Sequence, residues 1–376
     1  MNIRSTLAKA SATALAIFGL QLGAAEQFDW QKDYATLSPT GGIELNQKAF
    51  QFTTGKAVRY IDYESGSDAN VGSKAKPWKH HPWDSNANGE AASGGGDTYV
   101  FKGGVVYRGI LNAKGGGSKG APLRLTRDPS WGKGDAILAG SQKISGGFAK
   151  GAHRQMPDGD KVWKMELDVS PRSLWLVNKD GSSTRIPLAR HPNWVSQPED
   201  HKEQWFHWTN KEHPFKPAKG WTADDAKLKG LDKDFVEGAI VYSEFGWVMG
   251  TPYPTRLNKF DPNTGMVQFG RWTGGGNAGI IFRNMRYYLE DKPHYLDDPN
   301  GEFWVEKKGI GSTLYLRLPG DADPNEAHLE AGHQPVIIEA TEAEHIEITG
   351  LSFRWAPMYW TLDVGKWDFR TKPWGY

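Results

Sequence analysis

Short apolar stretches, each bounded by glycine or another turn residue, recur along the first half of the chain. Apolar and polar side chains alternate over only a few residues at a time, which is typical of strands rather than helices. The pattern predicts strands at Val58 to Tyr63, Tyr99 to Phe101, Val105 to Tyr107, Leu123 to Leu125 and Ile137 to Leu138. Short strands with turns at fairly even spacing indicate an all-β fold, and a solenoid is one such fold.

Residues 148–334 show a different pattern, because their apolar positions are grouped around hairpin turns. The segment "KVWKMELDVSPRSLWLVNKDGSSTRIPLARHPNW" turns at Lys179 to Gly181, and "EGAIVYSEFGWVMGTPYPTRL" predicts a second strand pair. The stretch from Asn284 to Pro319 mixes rings with charges. We interpret it mainly as strand scaffold, with Glu302 to Val305 and Thr313 to Leu316 paired and rings on one face, and a ligand surface is the alternative. The pattern predicts an antiparallel, sandwich-like insert.

The alternation changes again after Pro335 and predicts two strands separated by a polar turn. The apolar positions are Val336, Ile338, Ile346, Ile348, Leu351 and Phe353. This spacing is typical of one coil of a solenoid, whose apolar end needs a neighbouring coil to cover it. We therefore expect the chain to be part of a longer protein, and the alternative is that its last residues act as a cap.

Three segments of the first half resemble a known group of proteins: "YIDYESGSDANVGSKAKPW", "GDTYVFKGGVVYRG" and "GDAILAGS". Together they resemble the opening coils of secreted right-handed parallel β-helix proteins, most of which act on polysaccharides. The resemblance covers residues 57–147, and the order of segments is similar to β-helix glycosidases that are interrupted by a β-sandwich. It implies a mainly β fold, in which a right-handed parallel β-helix is interrupted by an antiparallel β-sandwich-like insert.

This interpretation divides the chain into five parts. We expect a signal peptide at 1–25, a leader at 26–56, the start of the β-helix at 57–147, the insert at 148–334 and the resumed, incomplete β-helix at 335–376. The signal peptide is indicated by Arg4 and Lys9, by the apolar run "ATALAIFGLQLGA", and by small residues before a cleavage site after Ala25. We therefore expect a secreted or periplasmic protein.

Composition and charge exclude several classes of function. The formal net charge of +1 gives no overall attraction for nucleic acid, and no later stretch is apolar enough to span a membrane. Because the chain has no cysteine, disulfides, thiolate catalysis and cysteine-bound zinc are excluded. The 17 tryptophans indicate large cores or flat platforms on which sugar rings stack. We expect a monomer whose partner is a polysaccharide.

The most direct function under this interpretation is breakdown of a complex polysaccharide, which could be acidic or sulfated. A glycoside hydrolase is the first choice and needs two carboxylates beside the sugar. A polysaccharide lyase, which takes a proton next to a uronate carboxylate, is the second. A glycan-binding protein without activity is the third. The catalytic residues stay unassigned, because the resemblance implies that they lie on solenoid strands beyond this segment.

One candidate substrate-binding group follows a predicted strand in "LARHPNW", where Arg190, His191 and Trp194 lie close together. A guanidinium, an imidazole and a ring could bind the carboxylate or sulfate of a sugar. The alternative is structural, with Arg190 paired to a neighbouring acid and His191 placed in the turn before Pro192.

Two further groups combine an acid with a ring. "YSEFGWVMG" contains Glu244 and Trp247, although strand pairing explains them equally well. "YWTLDVGKWD" contains Trp360 and Asp363 and follows the first returning coil. We predict that all four residues contribute to sugar binding.

No cofactor is expected from the sequence. His80 and His81 are adjacent in "KHHPWD" and would point to opposite faces of a strand, which makes them a poor metal-binding pair. The Asp- and Asn-rich "SGSDANVGS" could hold calcium, but it lacks the full pattern of a calcium-binding hand. We interpret it as a solvated turn.

Overall fold

The computed structural model describes residues 35–37, 39–45, 49–195, 203–209, 221–244, 252–269, 281, 283–309 and 311–357. The chain divides into two compact units, Met1–Gln51 and Phe52–Tyr376. In the described part of the first unit, β1 (Ala35–Leu37) and β2 (Ile43–Leu45) form an antiparallel hairpin. The predicted signal peptide lies outside the described residues, so secretion stays a prediction.

The second unit begins with short strands and one short helix. They are β3 (Val58–Ile61), α1 (Gly89–Ser93), β4 (Thr98–Gly103), β5 (Val106–Arg108), β6 (Leu111–Asn112), β7 (Leu123–Gly132) and β8 (Ala136–Ala139). The strands predicted between residues 58 and 138 are confirmed, with differences only at their ends. Glycine has a physical role between them. Gly132 has a φ of +88°, and a Cβ there would collide with the carbonyl oxygen of Gly103.

A longer series of strands with one more short helix follows. They are β9 (Ser141–Ile144), β10 (Ala149–Lys150), β11 (Trp163–Leu167), β12 (Ser173–Val177), β13 (Ser183–Ile186), β14 (Arg190–His191), β15 (Phe206–His207), β16 (Trp221–Asp224), α2 (Lys233–Val236), β17 (Ile240–Glu244), β18 (Pro252–Asp261), β19 (Met266–Phe269), β20 (Arg286–Glu290), β21 (Glu302–Lys308), β22 (Gly311–Arg317) and β23 (Leu329–Gly332). Short 3₁₀ helices lie at Ala226–Leu228, Pro293–Tyr295, Pro319–Asp321 and Pro324–Glu326. No helix among the described residues is long and apolar enough to cross a membrane.

The chain then returns to its first strands. β24 (Ile338–Glu339), β25 (Ile346–Ile348) and β26 (Leu351–Arg354) pair in parallel with β6, β7 and β8. The same stacking joins β3 to β4, β4 to β7 and β5 to β8, again in parallel. The protein is therefore mainly β, with parallel sheets built from both ends of this unit. The right-handed coil and the five-part division of the chain stay predictions.

The strands between these parallel sheets pair antiparallel. Three sheets have the orders β10-β11-β22-β21, β13-β12-β23-β9 and β14-β20-β17-β18-β19-β16, and β15 also pairs with β20. The predicted hairpin is the β12–β13 pair, and its turn is closed by Gly181 N–H donating to the Asn178 carbonyl at 2.9 Å. The parallel sheets have their own apolar core, and the antiparallel sheets pack around two further cores.

One expectation for the antiparallel region is wrong. The pairing of β21 with β22 is confirmed, but their rings do not share one face. Phe303 packs in the core with Leu314 and Leu316, whereas Trp304 packs with Tyr315 in a different core. Because successive strand residues point to opposite faces, this sheet separates two apolar cores and has no charged face along these residues.

Candidate functional site

One face of the largest antiparallel sheet carries four polar side chains in a compact group. Arg190 on β14 lies directly opposite Glu290 on β20, and Tyr242 on β17 lies opposite Tyr288 on β20. Residues opposite each other on neighbouring strands share a face, as do residues two apart on one strand. The register therefore brings a guanidinium, a carboxyl group and two phenols together.

These side chains form one wall of a cleft of about 460 Å³. The β12–β13 pair with the residue before it, the connection from β13 to β14 and the segment after β14 supply the remaining lining residues, which are Arg172, Ser173, Arg185, Pro187, Leu188 and Trp194. We call this space the arginine cleft, because three of its ten lining residues are arginines. Glu290 is the carboxylate among them, so the lining is net positive when all four groups are charged.

Aromatic rings surround the Arg190 guanidinium. Its central carbon lies 3.6 Å from the ring centre of Tyr288 and 5.6 Å from those of Trp194 and Trp205. Such contacts are favourable because the face of an aromatic ring carries partial negative charge. Arg190 is only 4% exposed, whereas Trp194 is 45% exposed. The cleft therefore combines a fixed cation with a ring that solvent or a ligand can reach.

Hydrogen bonds to backbone oxygens hold Arg190 in place. Its Nε donates to the Pro192 carbonyl at 3.0 Å, and its Nη2 donates to the Gln204 carbonyl at 2.5 Å. The structural alternative from the sequence was an ion pair between Arg190 and a neighbouring acid. Glu290 lies opposite Arg190, but the guanidinium forms no ion pair with it. The Arg190 charge is therefore not cancelled by direct contact with a carboxylate among the described residues.

Arg172 and Arg185 differ from Arg190. Arg185 is exposed and Arg172 is partly buried. Neither guanidinium forms a hydrogen bond or an ion pair with any residue in the described part of the chain. An arginine in water keeps its five N–H donors and its charge available for a ligand. These two side chains are the groups of the cleft best placed to bind an anion.

The carboxyl group of Glu290 has an unusual proton affinity. Removal from water raises its pKa to about 7, against the opposing influence of Arg190, Arg185 and Arg172, which favour the charged form. Its carboxyl oxygens make no hydrogen bond to a described residue. A carboxyl group that titrates near neutral pH can act as a general acid or a general base.

The two tyrosines of the cleft are stacked. The rings of Tyr242 and Tyr288 lie 4.9 Å apart and 7° from parallel. Burial, together with the charge of Glu290, raises the pKa of both phenols well above the ordinary value. Both remain protonated at neutral pH and can donate hydrogen bonds to a ligand.

Of the sequence-predicted residues, Arg190 and Trp194 lie together in the arginine cleft, whereas His191 lies on the opposite face of β14. The His191 ring contacts Phe206 and Phe235, each at 5.1 Å between ring centres, and lies 5.8 Å from that of Tyr295. Burial first, and then the charge of Arg190, lowers the His191 pKa to about 4. The imidazole is therefore neutral at ordinary pH and contributes no charge to the cleft.

Glu244 forms an ion pair with Arg286. Its carboxylate accepts from the Arg286 backbone N–H and from Nε, both at 2.8 Å, and it is 3% exposed. This pair lies on the same sheet face as the two tyrosines, one step further along β17 and β20. Glu244 is thus engaged within the protein and does not line the arginine cleft. The other three predicted residues, Trp247, Trp360 and Asp363, lie outside the described residues.

The two adjacent histidines have separate surroundings. His80 Nδ1 lies 2.7 Å from Asp68 Oδ2. His81 is buried among Trp83, Tyr99 and Phe101, and burial lowers its pKa to about 3. The described residues contain no group of three or more histidine, aspartate and glutamate side chains placed to hold a metal ion.

Sequence reasoning missed eight of the ten lining residues, and five of these eight carry the charged or phenolic side chains, namely Arg172, Arg185, Tyr242, Tyr288 and Glu290. Tyr288 and Glu290 are two apart and share a face because they lie on one strand, but the sequence pattern does not predict a strand at these residues. No local signal could place Tyr242 beside Tyr288, since this depends on the register between β17 and β20. The stretch from Asn284 onwards, interpreted mainly as scaffold, contributes both scaffold and cleft.

Comparison with known proteins identifies a similar structure but no family. No protein-family model matches the sequence, and no curated protein matches it. A solved structure described as XylC in complex with xylose is similar, at 15% sequence identity and a TM-score of 0.37. The similarity covers 80% of this chain and 35% of that one, so this chain spans about a third of that structure. The function assigned to the arginine cleft therefore depends on its own geometry.

Proposed function

We propose that the protein binds an acidic or sulfated polysaccharide in the arginine cleft. The observation that carries this proposal is the convergence of Arg172, Arg185 and Arg190 on one cleft walled by aromatic rings. Two of these guanidinium groups have no hydrogen-bonding partner within the described protein. A site of this composition offers strong donors for an anion and flat apolar surfaces for a sugar ring.

The chemistry of the ligand follows from these two features. Guanidinium groups bind carboxylate and sulfate oxygens through paired, charge-assisted hydrogen bonds. Sugar rings expose apolar C–H faces that pack against aromatic side chains, and Trp194 and the Tyr242–Tyr288 pair supply such surfaces. A uronate or a sulfated sugar satisfies both requirements, whereas a neutral sugar leaves the arginines unmatched.

For the reaction, elimination beside a uronate carboxylate fits the cleft better than hydrolysis. Hydrolysis requires two carboxylates, and the lining residues include only Glu290. In elimination, a base such as Glu290 removes the proton next to the carboxylate while the glycosidic C–O bond breaks and a C=C bond forms. The departing oxygen needs a proton, which a protonated tyrosine of the cleft can supply. Arginines that bind the uronate carboxylate make that proton more acidic.

The wider interpretation of the chain is a secreted right-handed β-helix protein that acts on polysaccharides, and the parallel pairing at residues 58–139 and 338–354 supports its stacked parallel strands. Export and coil handedness belong to this proposal. Glycoside hydrolysis stays the alternative reaction, with carboxylates supplied from elsewhere in the protein. A glycan-binding protein without activity stays the alternative outside enzymes.

Binding is tested with a matched pair of polymers, dextran and dextran sulfate, together with polygalacturonate. The wild-type chain should bind the two anionic polymers and not neutral dextran, as measured by titration calorimetry. The double variant R172Q/R185Q should lose about a hundredfold in affinity, because each arginine contributes a charge-assisted contact of about 1.4 kcal/mol and each such contact corresponds to a factor of about ten. The control R154Q, which removes an exposed arginine outside the cleft, should bind as the wild type does.

Equal affinity for dextran and dextran sulfate, or unchanged affinity in R172Q/R185Q, would overturn the proposal. The same polymers separate the reactions. An unsaturated, ultraviolet-absorbing product supports elimination, whereas new reducing ends without that absorbance support hydrolysis. Binding without any product supports the glycan-binding alternative.

A further inference from the structure

A second open concavity of about 570 Å³ lies beside the arginine cleft, and Arg185 lines both spaces. The other residues of the second concavity come from the β12–β13 hairpin and from the end of β26. They are Trp175, Asp180, Gly181, Ser182, Ser183, Arg354 and Trp355. Since one side chain borders both spaces, a ligand in the arginine cleft can extend into the second concavity past Arg185.

The sheet register makes this a continuous surface. Trp175 on β12 lies directly opposite Arg185 on β13. Ser173, which lines the arginine cleft, is two residues before Trp175 and so shares its face. The opposite face of the same strands carries Leu174 and Ile186, which are buried in an apolar core. The face with Trp175 is therefore the one turned away from the core and towards both spaces.

The position of the Trp175 ring depends on a glycine. A Cβ added at Gly332 would lie 2.5 Å from Cζ3 of Trp175, so any other residue would displace the ring. Trp175 is partly buried, and its indole N–H forms no hydrogen bond with a described residue, whereas Trp355 is buried and its Nε1 donates to Ser183 Oγ at 2.9 Å. Of the two tryptophans, Trp175 is the one with a surface available for stacking.

The charges of the second concavity are largely satisfied, unlike those of the arginine cleft. Arg354 donates to Asp135 Oδ2 at 2.9 Å and to the Gly181 carbonyl at 3.1 Å. Asp180 accepts from the hydroxyl of Ser182 at 2.6 Å and from its backbone N–H at 2.9 Å. The second concavity thus offers a ring and hydrogen-bonding groups. Because its charged groups already have partners, it does not require an anionic ligand.

From these observations we infer that the second concavity is an additional sugar subsite with Trp175 as its stacking platform. The ligand is then a chain of at least two sugars, with an anionic sugar in the arginine cleft and its neighbour on Trp175. Arg185 lies at the junction between them. This inference depends on the proposed function, because it extends the same binding surface.

The test compares affinity with ligand length, using galacturonic acid and its oligomers from two to six units as probes. Wild-type affinity should rise from the monomer to the oligomers. Trp175→Ala should lower oligomer affinity by about two- to tenfold and leave monomer affinity unchanged, as expected for loss of one aromatic contact. Trp175→Phe, which keeps a smaller ring and disturbs folding less, should show a smaller loss in the same direction.

The matched control is Trp131→Ala, since Trp131 is partly buried and lines neither space. It should leave both monomer and oligomer affinities at wild-type values. If the monomer and the oligomers bind equally well, or if both Trp175 variants keep full length dependence, the second subsite is excluded and the proposed function stands. If the wild type binds no member of the series while dextran sulfate binding is also absent, the proposed function and the subsite are both excluded.

Discussion

Arg190 and Glu290 lie directly opposite each other on neighbouring antiparallel strands, yet the Arg190 guanidinium donates to two backbone carbonyls instead of to that carboxylate. The carboxyl group of Glu290 therefore feels the charge of Arg190 without the hydrogen bonds that would hold it ionised. Burial prevails, and the pKa of Glu290 rises to about 7. The positive charge of the cleft is consequently adjustable near neutral pH.

Ligand affinity should depend on the protonation state of Glu290. Below pH 7 Glu290 is mostly neutral and the cleft presents three uncompensated arginines, whereas above pH 7 a carboxylate opposes the anionic ligand. Affinity for dextran sulfate should therefore fall as the pH rises through about 7. In Glu290→Gln this fall should be absent, as titration calorimetry at pH 6 and pH 8 would show. A wild-type protein whose affinity is the same at both values would contradict the prediction.

The raised pKa of Glu290 should also affect folding stability. Between about pH 4.5 and 7 the folded protein keeps a proton on Glu290 that the unfolded chain has lost. The free energy of unfolding should therefore decrease across this window as the pH rises, by up to about 3 kcal/mol, and then level off. The measurement is the free energy of unfolding in urea as a function of pH for the wild type and for Glu290→Gln. The contributions of the other titrating groups cancel in the difference between the two proteins.

Arg190 and Arg185 should respond differently to substitution by alanine. Arg190→Ala removes the donors to the carbonyls of Pro192 and Gln204 and the contact with Tyr288, so we expect a loss of about 2–4 kcal/mol in unfolding free energy. Arg185→Ala removes an exposed side chain and should cost less than about 0.5 kcal/mol. Chemical unfolding of both variants is the measurement. Equal stability of the two would show that the contacts of Arg190 are not stabilising.

The strands of this protein could be predicted because their signals are local. Leu123 to Leu125 and Ile137 to Leu138 are apolar stretches bounded by turn residues, and the hairpin at Lys179 to Gly181 is marked by its glycine. Such signals give positions of strands but not their partners. That Ile346 lies beside Leu123 follows only from the folded structure, since nothing in either stretch specifies a partner so far away along the chain.

The arginine cleft was only partly predictable for the same reason. Arg190 and Trp194 could be selected because they are close in sequence. Arg172 immediately precedes β12 and Arg185 lies on β13, and only the folding of these strands beside the sheet of Arg190 brings both side chains to the same cleft. His191 was grouped with Arg190 by proximity, although adjacent strand residues point to opposite faces.

His191 provides a test of that separation. Between about pH 6.5 and 4 the unfolded chain binds a proton at His191 that the folded protein excludes. Stability should therefore fall as the pH drops through this window, by up to about 3 kcal/mol. In His191→Phe, which suits the surrounding rings, this part of the fall should disappear, and affinity for anionic glycans should be unchanged. A large loss of affinity in this variant would place His191 in the binding site after all.

The ion pair between Glu244 and Arg286 should contribute to stability rather than to ligand binding. Glu244 is buried, while the Arg286 side chain is 39% exposed, so water can partly replace the lost partner. We expect Glu244→Gln to cost about 1–3 kcal/mol in unfolding free energy. A double-mutant cycle with Arg286→Met should give a favourable coupling energy, because each single variant already breaks the same pair. Neither residue lines the arginine cleft, and Arg286 shares only the ring of Trp205 with Arg190, so affinity for dextran sulfate should change by less than about twofold. A larger loss of affinity without a loss of stability would instead support the original expectation that Glu244 binds sugar.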